Sequence, residues 1–296
     1  MKASWLPAIL LICLASLSAQ SAPEIVHPVS FGEPPALTLT VGVFSDEAVG
    51  ELLKTLDALL AGRGDAGIVF GNFTRRLQQG RLTAAQEAQV VGHLARIRRT
   101  SPQHAAFVDR TAFVVRSLMV GKTAPEISGT DLDGVPFKLS DYRGRVVVLI
   151  FSAEWCGICR TMYPYERLML ELYERWPFAM VAVETGSSPD AVKAAREAQG
   201  LRYRAWWDAP DDDTGQGPIA AAWRISGFPA VYVVDARGVI RFVDLRQEDL
   251  LKGVRQVLTE EADRPGAGNS PIARSANTRY PDNPINNSPI ARSIAR

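Results

Sequence analysis

Val146-Val-Val-Leu-Ile-Phe-Ser-Ala-Glu-Trp-Cys-Gly-Ile-Cys-Arg160 is the stretch from which the rest of the chain can be read. Val146–Phe151 is an unbroken β-branched, aliphatic and aromatic run, the pattern of a strand buried on both faces. Ser152–Trp155 reads as a short turn. After Cys156 the apolar residues Met162, Tyr165, Leu168, Met169, Leu172 and Trp176 follow helical spacing, predicting a helix from Cys156 to about Arg175. On this reading Cys156-Gly-Ile-Cys159 opens a helix that leaves the C-terminal end of a central strand. Amides without intrahelical partners point there, and the positive end of the macrodipole favours an anion.

The chemistry follows from that placement. A thiolate is the nucleophile in sulfur exchange, and a helix N-terminus within Cys-x-x-Cys lowers the pKa of the first cysteine. A second cysteine one turn later can resolve a mixed disulfide by attacking the first. Cys156 therefore takes the attacking role and Cys159 the resolving role. Two blander readings compete. A zinc site needs further Cys or His ligands. No histidine follows His104, and the only other cysteine is Cys13, so zinc is disfavoured. A purely structural disulfide across so short a loop adds little stability.

The chain has 296 residues, a net charge of +1 and 47% hydrophobic residues, the composition of an ordinary soluble protein. That balance argues against nucleic acid or an anionic surface as the main partner. Residues 1–22 read as a signal peptide: Lys2, an apolar run from Leu6 to Leu17, then small residues, with cleavage expected near Ala19–Ala22. The run is short for a membrane span, so no stable span is expected in the mature form; an uncleaved anchor is the rival reading. Cleavage removes Cys13, leaving an exported, periplasmic or otherwise extracytoplasmic protein with one Cys-x-x-Cys pair. That is a redox reagent more readily than a disulfide-stapled scaffold.

Residues 23–45 read as a linker and 46–120 as a small all-α domain. Its helices are expected at Glu47–Leu60, Ile68–Gln78, from the Thr83–Gln86 capping box to about Arg99, and from Ser101-Pro102 to about Met119. His93 and His104 read as surface or hydrogen-bonded histidines rather than ligands. Residues 121–262 form the next domain. It has a hairpin around Asp133-Gly134, strands at Val146–Phe151, Phe178–Val183 and Tyr203–Trp207, and helices at Pro189–Gln199 and Pro218–Trp223. A hairpin of Ala230–Val234 and Val239–Val243 precedes a closing helix at Gln247–Glu261. Strand–helix–strand units with a terminal hairpin imply an α/β fold, a mixed sheet sandwiched by helices. Residues 263–296 repeat Asn269–Ser275 word for word at Asn287–Ser293 and read as a disordered tail.

At Trp155-Cys-Gly-Ile-Cys-Arg160 the chain resembles the thioredoxin superfamily, and within it the exported TlpA/ResA-like, redoxin (AhpC/TSA-type) thiol–disulfide oxidoreductases. The resemblance spans about Gly121–Glu261. It rests also on the lead-in Gly121-Lys-Thr-Ala-Pro125 and Leu139–Val148, on Pro164, where the family kinks its active-site helix, and on Gly227-Phe228-Pro229-Ala230, which matches the family's cis-proline loop. It implies a thioredoxin-like fold and catalysis by Cys156 and Cys159. It further implies substrate contact or site support from Trp155, Phe228 and Pro229. No cofactor beyond the redox-active pair is implied. The partners are proteins or small molecules carrying thiols or disulfides, with an upstream electron donor or acceptor. The chain departs from the pattern at Ile150 and Met162, where relatives keep carboxylates as proton acceptors, and at Ile158, where proline is common. Glu154, Glu166 or water could take the Cys159 proton. A peroxiredoxin-type peroxidase is the first alternative, although Leu149 and Ala153 stand where its proline and threonine belong. A non-enzymatic binding protein with this fold is the second.

Overall fold

The computed structural model describes residues 39–62, 64–211 and 215–264. The leader, most of the linker and the repeat-containing tail expected from the sequence lie outside these residues. Four helices come first: α1 Asp46–Ala61, α2 Ala66–Gln78, α3 Ala84–Thr100 and α4 Ala105–Ser117. Ser45 and Asp65 cap α1 and α2, and the Thr83–Gln86 capping box opens α3. Ser101 makes no side-chain cap; a 3-10 turn, Pro102–His104, leads into α4 instead. The four helices enclose an apolar cluster that includes Val49, Leu56, Phe73, Leu77, Leu94 and Val115. His93 is buried and bonded to Asp57 and Arg96, the satisfied histidine expected. The described end of the linker segment is fastened down. Leu39 donates its amide to Gln256, and Val43 bridges Arg81.

The small hairpin of β1 Ser128–Thr130 and β2 Pro136–Lys138 leads into the main sheet. Its strands are β3 Val146–Ala153, β4 Phe178–Thr185, β5 Ala205–Trp207, β6 Ala230–Val234 and β7 Ile240–Val243, in the order β5-β4-β3-β6-β7. β3, β4 and β5 run parallel, whereas β6 and β7 are antiparallel to their neighbours. Every residue of β3 is buried, as a central parallel strand requires. The helices of this half are α5 Tyr163–Leu172, α6 Pro189–Ala198, α7 Pro218–Ala222 and α8 Gln247–Ala262.

Alternation along β3 divides the core. Val146, Val148 and Ile150 join Met162 and Met169 beside α5, and Val254 and Val257 of α8. Val147, Leu149 and Phe151 join Trp206, Trp223 and the end of α4 at Val114 and Leu118. So α4 belongs to two cores, one inside the helical segment and one on the sheet. Among the described residues no helix is long and apolar enough to cross a membrane. The architecture is thus α/β: a thioredoxin-like mixed sheet flanked by helices, with an N-terminal helical region.

Candidate active site

The helix expected from Cys156 starts later. Cys156–Ile158 lies in reverse turns, Cys159–Met162 is a 3-10 turn, and regular α-helix begins at Tyr163 and ends at Leu172. Two residues explain the tighter winding. Thr161 donates both its amide (3.2 Å) and its hydroxyl (2.8 Å) to the Ile158 carbonyl. Pro164 has no amide to offer the Arg160 carbonyl. Pro164 therefore does not kink a continuous helix. It stands in the first turn of α5, where its missing N–H costs nothing.

The anion-stabilising amide survives this correction. Cys159 donates its N–H to the Cys156 sulfur at 3.2 Å, while the Cys156 amide is held by the Ala153 carbonyl. The cysteines are joined as a disulfide, with Cα atoms 5.3 Å apart. Both lie against Ala153 and Phe228, Cys156 being 5% exposed and Cys159 2%. Their neighbours Trp155 and Ile158 are 65% and 66% exposed, an unusual outlay of apolar surface at the end of a strand. Trp155 meets Phe228 edge to face at 5.9 Å. The Phe228–Pro229 peptide is cis. Trp155, Cys156, Cys159, Phe228 and Pro229 are thus brought together, while Pro164 lies along the chain behind them.

The carboxylates near the pair in sequence are engaged elsewhere. Glu154 accepts both the amide and the hydroxyl of Ser187 at 3.0 Å, fixing the loop after β4. Glu166 is buried under Tyr203, whose hydroxyl donates to it at 2.8 Å; burial pushes its carboxyl up to about 7. Behind it Glu184 and Arg196 form a buried ion pair. Ile150 and Met162 belong to the apolar core, and the Met162 sulfur accepts the Gln247 amide that begins α8.

Sequence reasoning missed two features. Arg246 donates to the Pro229 carbonyl and to Asp244, both at 2.6 Å, pinning the proline loop. A cleft of about 500 Å³ also opens beside that loop, reaching from Ile158 and Phe228 to α2 and α4. The Arg246–Pro229 bond and the cleft join segments that are separate in the chain, so neither follows from local pattern.

Residues 120–243 match the AhpC/TSA family. The chain is 27% identical over 154 residues to the thiol–disulfide oxidoreductase ResA of Geobacillus kaustophilus, covering 51% of this chain and 82% of that protein. It is 33% identical over 122 residues to the thioredoxin-like protein YneN of Bacillus subtilis, covering 41% of this chain and 68% of that one. Among solved structures, the thioredoxin domain of a thiol–disulfide oxidoreductase from Bacteroides vulgatus is 29% identical. It covers 47% of this chain and 98% of that one, at a TM-score of 0.42. With a buried central strand, a Cys-x-x-Cys at its end and a facing cis-proline loop, the chain belongs to the redoxin branch of the thioredoxin superfamily and is an oxidoreductase.

Proposed function

We propose that the chain is an extracytoplasmic thiol–disulfide oxidoreductase in which Cys156 is the nucleophile and Cys159 the resolving thiol. The observation that carries this is the hydrogen bond at Cys156: its sulfur receives the Cys159 amide, and its residue packs against Phe228 of the cis-proline loop. In the reducing direction the Cys156 thiolate attacks one sulfur of a partner disulfide, and a partner thiolate leaves. Cys159 loses its proton and attacks the Cys156 sulfur, releasing the second partner thiolate. Two electrons pass to the partner, and the pair is left oxidised until an upstream dithiol restores it. Oxidation of a partner dithiol is the same sequence reversed. Water takes the Cys159 proton, because the bonds of Glu154 and Glu166 are made elsewhere.

Export rests on the apolar leader and on a mature chain whose only thiols are the reactive pair. Partners are proteins or small molecules bearing thiols or disulfides. In cells, Cys159→Ser accumulates partner adducts at Cys156 that dissolve on reduction, and these lie in the extracytoplasmic fraction. Recovery of no such adducts, or equal recovery with Cys156→Ser, sinks the assignment of roles. Peroxide turnover by Cys159→Ser, at a rate exceeding disulfide exchange, moves the chain to the peroxidase reading.

A further inference from the structure

The cleft beside the proline loop has a wall made by the helical segment, which lies outside the AhpC/TSA match. Phe70 of α2 and Phe107 of α4 stack there, with ring centroids 5.9 Å apart and planes 6° apart. Gly71 keeps the wall open: a Cβ at that position meets nothing within 4 Å. The charged lining is one-sided, with Arg75, Arg110, Arg224 and Arg246 set against the single carboxylate of Asp244. Arg246 is occupied by Asp244 and the Pro229 carbonyl. Arg110 makes no ion pair among the described residues. Burial lowers its pKa, and the neighbouring charge of Arg224 lowers it further, although Tyr232 opposes this. Arg224 is exposed and stands in left-handed backbone at φ 54°. Its nearby carboxylate, Asp109, is already engaged by Arg98. Two guanidiniums thus line a cleft that also reaches Ile158, between the cysteines.

We propose that this cleft seats the polypeptide flanking the partner's reactive cysteine, and that Arg110 and Arg224 select a flank carrying acidic residues. This rests on the reading that Cys156 exchanges disulfides with proteins. Half-buried Phe107, backed by buried Phe70, supplies an apolar face for the same segment, as recognition grooves commonly combine both kinds of contact. The chain's own C-terminal segment has the wrong charge to fill the cleft. Residues 265–296 carry Arg274, Arg279, Arg292 and Arg296 against Asp282 alone.

The test uses the reduced full chain and three oxidants. Two are disulfide-cyclised decapeptides that differ only in an Asp-Asp or Lys-Lys pair beside one cysteine; the third is neutral 2-hydroxyethyl disulfide. The wild-type chain reduces the acidic peptide about tenfold faster than the basic one at low salt, and the ratio shrinks toward one as salt rises. Arg110→Gln with Arg224→Gln removes the preference, and the Glu replacements invert it. Gly71→Trp, at a position where a Cβ meets nothing within 4 Å, lowers the ratio of peptide rate to small-disulfide rate about tenfold. Equal wild-type rates on both peptides, or an unchanged preference in the Gln variant, overturn the inference. Failure of the wild-type chain on the small disulfide as well overturns the exchange reading beneath it.

Discussion

Replacing Glu166 by Gln changes how stability depends on pH. Burial is the main cause that holds this carboxyl up to about 7 against an ordinary 4.5. The Tyr203 hydroxyl opposes that rise, Glu184 adds to it, and Arg196 and Arg167 oppose it. Between those two values the folded chain holds a proton that the unfolded chain has released, so stability falls as pH rises through this window. The contribution is complete below 4.5 and gone above about 7. At about 1.4 kcal/mol per pH unit, the gap corresponds to about 3 kcal/mol overall, of which about 2.5 kcal/mol is lost between pH 5 and pH 8. The side-chain amide introduced by Glu166→Gln still accepts from Tyr203 but does not titrate. Urea unfolding at half-unit steps, with the disulfide intact, measures both proteins. The wild-type free energy should drop by about 2.5 kcal/mol more than that of Glu166→Gln across the range. Parallel curves, or a steeper fall in the variant, refute the account of Glu166 as a buried, protonated acid.

Three further outcomes are expected. Arg196→Leu leaves Glu184 buried without its partner and should cost about 3–5 kcal/mol of stability by urea titration; replacing Glu184 by Leu as well should recover much of it. Asp208→Ala removes the carboxylate that accepts the Ile219 and Ala220 amides at 2.7 and 2.9 Å. It should cost about 2 kcal/mol in the same assay. If water takes the Cys159 proton, Glu166→Gln leaves the pH dependence of mixed-disulfide release unchanged in stopped-flow traces. A displaced profile would show Glu166 acting on the sulfurs.

What the sequence disclosed was what adjacent residues decide. The all-apolar run at Val146–Phe151 reads as an interior strand, and Thr83 with Gln86 specified a helix start through bonds that both residues make locally. The start of α5 was misjudged because hydrophobic spacing continues smoothly through Cys159, Met162 and Tyr165. The winding there is decided instead by a Thr161 hydroxyl and by the missing Pro164 amide. Sequence proximity made Glu166 a candidate acceptor for the Cys159 proton. Its burial depends on Tyr203, which arrives from 37 residues further along. The cleft was invisible for the same reason, since Arg110 on α4 and Arg224 after α7 become neighbours only when α4 lies on the sheet.

That packing links the two halves of the molecule. Val114 near the C-terminal end of α4 and Leu118 just beyond it join the core on one face of the sheet, next to Phe151 and Trp223. The N-terminal part of the same helix carries Phe107 and Arg110 to the edge of the proline loop. An α-helix transmits position along its length at 1.5 Å per residue with little play. Anchoring one end in the sheet core therefore fixes where the other end meets an incoming chain. Glu166 lies on α5 and Glu184 on β4, whereas the cleft is lined by arginines. Positive charge at the partner's approach and a proton held on Glu166 come from different elements. Either can be altered by substitution without touching the sulfurs, and that separation lets the exchange chemistry and its selectivity be measured apart.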